Sequence, residues 1–134
     1  AARGASAALD RLIDLAPPLA RARVQLALAH TLRGVVSQVL VRKVGGGRVA
    51  ARELLLNTPA VASILADGRT AQLPAALEGG RAQGMYPLHE TLAAYVASGT
   101  IDAGSAYGAA VDKAALLDAL ERRGVDVSGL ERLG

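Results

Sequence analysis

The sequence predicts a mainly α-helical fold that contains one small β-hairpin. About half of the 134 residues are apolar (51%), and alanine, leucine and valine supply most of them, while phenylalanine and tryptophan are absent. Alanine and leucine are among the strongest helix formers. Glycines recur through the second half of the chain and end short helical segments, whereas β-branched residues flank one glycine-rich turn. These observations predict several helices interrupted by a single pair of strands.

Two helices are predicted in the first part of the chain. Apolar residues recur at helical spacing in the first helix (Leu9, Leu12, Ile13, Ala16). Pro17-Pro18 stops this helix, because proline cannot continue the helical hydrogen bonds. The second helix is predicted from residue 21 to residue 38, with one apolar stripe along it (Val24, Leu28, Leu32, Val35, Val39).

A β-hairpin is predicted to follow. Residues 39–44 are rich in β-branched side chains, Gly45-Gly46-Gly47 form the turn, and Arg48 to Leu56 form the returning strand. A two-stranded hairpin is marginally stable alone, and the first 56 residues contain nothing further to complete its sheet. We therefore expect this segment to belong to a larger α/β domain.

The rest of the chain is predicted to form short helices whose ends are marked by capping residues or glycines. Predicted helices cover residues 59–67, 73–83, 88–98, 103–107 and 113–123. Thr58, Asp102 and Asp112 are the predicted N-caps, and Pro59 follows Thr58 at the first helical position. Ser128 and Glu131 have the spacing of a capping box. The change of character at residue 57 predicts two parts, a hairpin-containing part (1–57) and a C-terminal helical bundle (58–134).

Charge and composition limit the classes of partner. The net charge is +3, but the fifteen basic residues are scattered, and three tyrosines offer little aromatic surface for stacking on nucleic acid. We therefore expect no nucleic-acid partner. No apolar run approaches the roughly 20 residues of a transmembrane helix, and charged residues interrupt any signal-peptide core. With no cysteine in the chain, these features predict a soluble intracellular protein.

The sequence predicts no catalytic, cofactor-binding or metal-ligating residue. A phosphate-binding loop needs Gly-Lys-Ser/Thr after its glycines, and here Arg48 and Val49 follow the Gly45–Gly47 run. His89-Glu90 begins like a zinc-protease helix, but Ala93 stands where the second histidine would be required. Asp10 and Asp14 share a helix face, but a solvent-facing position accounts for this pair of carboxylates without a catalytic role. We do not expect this chain alone to be an enzyme.

Three segments carry a family resemblance in a fixed order. They are residues 9–18, which end in Ala16-Pro17-Pro18, residues 32–42, and Glu53-Leu54-Leu55 with Asn57-Thr58-Pro59-Ala60-Val61. In this order, and with weaker matches that extend over residues 9–110, the chain resembles the C-terminal part of the PilT-like motor ATPases of type IV pili and type II secretion.

The resemblance implies that the chain is the C-terminal helical half of a RecA-like ATPase domain. The ATP-binding loop and the acidic motifs that hold Mg²⁺ would then lie before Ala1. The implied whole protein is a hexameric cytoplasmic ATPase at the inner face of the membrane, a retraction-like type IV pilus motor that serves twitching motility. Its implied partner is an inner-membrane platform protein of the pilus or secretion machine. This chain would provide contacts between subunits and couple force to the partner.

The helix after Thr58-Pro59 is the implied coupling helix. Where the family has Ala-Ile-Arg-Asn-Leu-Ile-Arg-Glu, residues 60–67 keep the apolar frame and the terminal acid, but alanine replaces both arginines. This difference argues against a role specific to retraction. The implied interaction residues follow the frame (Ala60, Val61, Ile64, Leu65, Asp67). Replacing Ile64 and Leu65 with serine is then expected to abolish motility in the whole motor while leaving ATPase activity largely intact.

Other functions stay open from the sequence alone. A pilus-assembly or type II secretion motor would carry the same motifs. A stand-alone helical interaction module would satisfy its apolar surface by self-association, and a basic helical domain that binds nucleic acid would show strongly salt-dependent binding.

Overall fold

The computed structural model describes residues 4–133 and confirms the predicted fold class, mainly α with one small β-hairpin. Short 3₁₀ turns lie at Pro18–Ala20, Thr70–Gln72, Arg81–Gln83 and Leu130–Leu133. The two strands form a two-stranded sheet, and Leu54 of the second strand also pairs in antiparallel fashion with Tyr86 through two backbone hydrogen bonds of 2.9 and 3.0 Å. In chain order the helices and strands are α1 (Gly4–Asp14), α2 (Arg21–Thr31), β1 (Gly34–Arg42), β2 (Arg48–Leu56), α3 (Pro59–Ala66), α4 (Leu73–Glu78), α5 (Leu88–Ala97), α6 (Ala103–Ala109) and α7 (Lys113–Arg122).

The described residues form two compact units, and each contains part of the hairpin. The first unit comprises residues 4–37 and Glu53–Tyr86, and the second comprises Gln38–Arg52 and residues 87–133. The division into domains 1–57 and 58–134 stays a prediction, and its residues 1–3 and 134 lie outside the described residues.

The first unit is built around α1, α2, α3 and the base of the hairpin. Glu53 is buried, and its Oε1 atom accepts a hydrogen bond of 2.8 Å from the backbone N–H of Ala5, in the first turn of α1. A carboxylate at a helix N-terminus interacts favourably with the helix dipole. Glu53 therefore fixes the start of α1 against β2. The core of this unit consists of apolar side chains from five helices and strands and a loop (Ala5, Leu9, Ala29, Leu55, Val61, Ile64, Leu65, Leu73, Leu77, Met85).

The second unit packs α5, α6 and α7 around the outer part of the hairpin. Two side chains of α5 hold the free edge of β2: the hydroxyl of Thr91 donates to the carbonyl of Arg52 at 2.7 Å, and the hydroxyl of Tyr95 donates to that of Ala50 at 2.8 Å. These bonds satisfy edge carbonyls that would otherwise need water. The core combines the hairpin with the three helices (Val41, Ala51, Leu88, Leu92, Ala93, Ile101, Ala106, Tyr107, Ala110, Leu116, Ala119, Leu120, Leu130).

The pairing of the strands is fixed at the turn. The N–H of Lys43 donates to the carbonyl of Gly47 at 2.9 Å, and the N–H of Gly46 donates to the carbonyl of Lys43 at 3.2 Å. The three glycines have φ of +86°, +113° and +75°, which residues with a Cβ rarely adopt. Counting back from this turn, Arg42 lies opposite Arg48, and Gln38 lies opposite Arg52.

The prediction of a helix over residues 21–38 was wrong at its end, and the first strand is correspondingly longer than predicted. α2 ends at Thr31, and β1 already begins at Gly34. The side-chain amide of Asn57 donates to the carbonyls of Ala29 at 3.1 Å and Leu32 at 2.8 Å, which terminates α2. The glycine and the two valines that follow it favour an extended chain.

Gly34 has no room for a side chain, and this predicts a stability effect. A Cβ atom at this position would lie 2.9 Å from the backbone carbonyl oxygen of Leu55. We expect Gly34→Ala to lower the free energy of unfolding by about 1–3 kcal/mol, because backbone must move to accept the methyl group. Gly108→Ala is the matched control: Gly108 lies in α6 with open space around it, so alanine should be neutral or stabilise. Urea unfolding followed by circular dichroism measures both; equal effects would contradict the close approach at Gly34.

The predicted N-caps are confirmed. The Oγ1 atom of Thr58 accepts from the N–H of Val61 at 3.3 Å at the start of α3. Asp102 and Asp112 likewise accept from backbone N–H groups three residues on, at 2.6 and 3.0 Å, at the starts of α6 and α7. Hydrogen bonds from the backbone and side chain of Ser105 lower the pKa of Asp102, so this cap weakens only as the pH falls through that lowered value.

Two further predictions were wrong. The helix predicted over residues 73–83 stops at Glu78, because Gly79-Gly80 interrupt it before a separate 3₁₀ turn. The capping box of Ser128 with Glu131 is not formed. Instead the N–H and the hydroxyl of Ser128 both donate to Oδ1 of Asp126, at 2.9 and 2.6 Å, and these bonds lower the pKa of Asp126.

Candidate functional site

Helix α3 turns most of its predicted interaction residues inward. Val61 and Leu65 are 0% exposed and Ile64 is 7% exposed, and all three lie in the core of the first unit. Ala60 and Asp67 are exposed. Of the five residues predicted for this helix, therefore, three hold it in place, and only two are available to a partner. Their role in an interaction stays a prediction.

A polar cluster lies at the C-terminal end of α3. The guanidinium of Arg69 forms an ion pair with Asp67 at 3.0 Å and donates to Oε1 of Gln72 at 2.6 Å and to the hydroxyl of Ser63 at 3.5 Å. These groups are exposed, so their mutual attraction contributes little stability. They nevertheless give one end of the helix a defined arrangement of donors and acceptors. The sequence prediction missed Arg69 because it lies beyond Gly68, after the predicted helix.

An apolar groove of about 430 Å³ borders the other end of α3. None of the side chains that line it is ionisable, so it can accept an aliphatic side chain or a turn of a partner chain. The first turn of α3 forms one side of it, and α4 with the loop after it forms the other (Thr58, Pro59, Ala60, Ala76, Gly79, Gly80, Gln83, Met85). The groove is therefore suited to binding an apolar group.

The described residues do not fit a nucleotide phosphate site at the glycine run. Gly45–Gly47 connect two strands, whereas a phosphate-binding loop leads into a helix whose N-terminus faces the phosphates. His89 is partly buried on α5, and Ala93 is buried one turn later. Within residues 4–133, no helix has the length and apolar character needed to cross a membrane.

Most of this chain is similar in sequence to part of known pilus proteins. No known family model matches the chain. It is 38% identical over 97 residues to the type IV pilus retraction ATPase PilT of Pseudomonas aeruginosa, which covers 72% of this chain and 28% of that protein. It is 33% identical over 99 residues to the twitching motility protein of Neisseria gonorrhoeae, covering 73% of this chain and 26% of that protein.

A solved structure agrees with these relatives. The pilus retraction motor PilT with bound ADP matches 87% of this chain and 32% of its own length, at 27% identity, with a TM-score of 0.75. The chain thus spans less than a third of the length of the proteins that it matches. The resemblance to PilT-like motor ATPases that the sequence predicted is confirmed over most of this chain.

Proposed function

We propose that this chain, a homologue of a segment of the PilT-like motor ATPases, provides subunit contact and force coupling in a pilus or secretion motor. The observation that carries the proposal is the surface formed by the first turn of α3 and the adjacent groove. The helix is anchored by three buried side chains, so a force applied at this surface passes into the core of the first unit. Rigidly held surfaces transmit displacement because packed cores do not deform continuously.

The rest of the proposed protein supplies the chemistry. ATP and Mg²⁺ would bind to residues outside this chain, in a hexamer located in the cytoplasm at the inner face of the membrane. The partner of the surface on α3 would be either a neighbouring subunit or an inner-membrane platform protein. Because Ala62 and Ala66 stand where the resembled family has arginines, we propose a motor that is not specialised for retraction.

Ala60→Glu in the full-length protein tests the proposal. Ala60 is exposed, lines the groove and lies in the first turn of α3, where a carboxylate does not destabilise the helix. We expect the charge to block an apolar contact and to lower surface motility or secretion by at least about tenfold. ATPase activity should stay within about twofold of the unmodified protein, since nucleotide is proposed to bind to residues outside this chain and Ala60 is an exposed residue that is not part of the core.

Ala27→Glu is the matched control, because Ala27 is also an exposed alanine on a helix of the first unit but does not line the groove. Movement should be unaffected by this change. If both variants move normally, the groove is not a coupling surface. If the native gene product proves to be only 13.6 kDa on an immunoblot, a stand-alone interaction module replaces the motor as the leading function.

A further inference from the structure

The outer part of the hairpin carries a dense positive charge, so the expectation that the basic residues are scattered was wrong for this segment. Residues 38–52 contain four basic side chains and no aspartate or glutamate. All four are exposed, and we call them, together with the turn between them, the hairpin tip (Arg42, Lys43, Arg48, Arg52). A charge of +4 on fifteen residues exceeds the net charge of the whole chain, which is +3.

The basic side chains of the hairpin tip form no ion pair with any of the described residues. Arg42 and Arg48 lie directly opposite each other, next to the hydrogen-bonded pair of Lys43 and Gly47. Opposite residues share one face of a sheet and approach most closely in such a pair without hydrogen bonds. Like charges so placed repel, and a bound anion would relieve this repulsion.

Aliphatic side chains are exposed at the hairpin tip and next to it in β1. Leu40 and Val44 are 56% and 59% exposed. The backbone of Val44 is held in place, since its N–H donates to the carbonyl of Thr100 at 3.0 Å, and Tyr95 holds β2 nearby. Within the second unit, the tip is thus supported by hydrogen bonds, and exposed aliphatic side chains lie beside its cations.

We propose that the hairpin tip binds the anionic phospholipid headgroups of a membrane surface. Small ligands are held in concave sites, whereas the three glycines of this turn face open space. Proteins that bind single-stranded nucleic acid combine basic residues with aromatic side chains on which the bases stack, and residues 38–52 contain no aromatic side chain. Basic residues are attracted to anionic lipid, and aliphatic side chains enter the boundary between headgroups and acyl chains. The inference rests on the proposed function for its location at the membrane and adds a direct contact to it.

Binding of the full-length protein to lipid vesicles tests the inference. The vesicles contain phosphatidylcholine, either alone or with about one third phosphatidylglycerol, the fraction of anionic lipid being chosen to give a clearly negative surface. We expect binding only to the anionic vesicles, weakened by added salt. The double variant Arg42→Gln with Arg48→Gln should bind about 30-fold more weakly, as expected for the loss of two cations near the surface. The matched control is Arg11→Gln with Arg23→Gln, which removes the same charge from exposed sites on α1 and α2 and should change binding less than about twofold.

A second variant separates binding from folding. Arg48→Glu creates an opposite-charge pair with Arg42 and should raise the melting temperature by about 1–2 °C, while abolishing binding to the anionic vesicles. Unchanged vesicle binding in the double glutamine variant would overturn the inference, as would equal binding to neutral vesicles. Tip-dependent binding of inorganic polyphosphate or of an acidic protein, without binding to vesicles, would overturn it too. Normal vesicle binding alongside normal motility of Ala60→Glu would support the lipid contact and count against only the proposed coupling surface.

Discussion

Leu65→Ser is expected to lower the free energy of unfolding of this chain by about 4–5 kcal/mol. Leu65 is 0% exposed in the core of the first unit, together with Val61 and Ile64. Removing a buried leucine side chain leaves a cavity, and the serine hydroxyl adds a buried polar group that needs a hydrogen-bond partner. Small domains are stable by only about 5–15 kcal/mol, so this loss leaves the variant close to unfolding. Urea unfolding followed by circular dichroism measures it.

The burial of Leu65 also changes the result expected when both Ile64 and Leu65 are replaced with serine in the whole motor. From the sequence, that double substitution is predicted to separate motility from ATPase activity. Because both side chains are buried, we now expect motility and ATPase activity to be lost together, through loss of the folded segment. Ala60→Glu is the better test of coupling, since it changes the exposed surface of the same helix.

Ser63→Ala is the matched control for Leu65→Ser. Ser63 lies two residues away on α3 and is exposed, so we expect a change within about 0.5 kcal/mol. A loss below about 1 kcal/mol for Leu65→Ser would show that α3 is not held as described. Leu65 would then return as a candidate contact residue.

Local features of the fold could be predicted from the sequence because they depend on neighbouring residues. Thr58 with Pro59, and the aspartates at positions 102 and 112, each cap a helix that begins at the next residue. A cap needs only a suitable acceptor before a helical pattern. The glycine turn of the hairpin is similarly local, because three successive positive φ angles require glycine.

Features that depend on distant residues could not be predicted. The end of α2 is fixed by Asn57, whose amide reaches carbonyls 25 and 28 residues earlier in the chain. The residues of α3 are apolar almost all round, so their periodicity does not tell the buried face from the exposed one. The buried carboxylates of Glu53 and Glu90 carry no sequence signal, because charged residues are read as exposed until a partner is known.

The contacts of Glu90 are expected to contribute substantially to stability, although its partners lie far away in the sequence. Glu90 is 2% exposed on α5. Its Oε1 atom accepts a hydrogen bond from Arg122 at 2.9 Å, and its Oε2 atom forms an ion pair with Arg123 at 3.6 Å, at the end of α7. The carboxylates of Glu90 and Asp118 hold the pKa of Arg122 above its usual value. We expect Glu90→Ala to lower the free energy of unfolding by about 3 kcal/mol, because the buried side chain leaves a cavity and α5 loses its ionic contact with α7.

Asp118→Asn isolates the buried contact from the exposed one. Arg122 also contacts Asp118, at 3.1 Å, but the side chain of Asp118 is 71% exposed. Exposed ion pairs contribute little, so we expect the melting temperature to change by less than about 1 °C. Glu90→Gln keeps the shape of the side chain but removes its charge. We expect it to lower the melting temperature by more than Asp118→Asn and by less than Glu90→Ala. If Glu90→Ala were as mild as Asp118→Asn, the apolar core alone would join α5 to α7, and the two arginines would be free to serve a partner of the second unit.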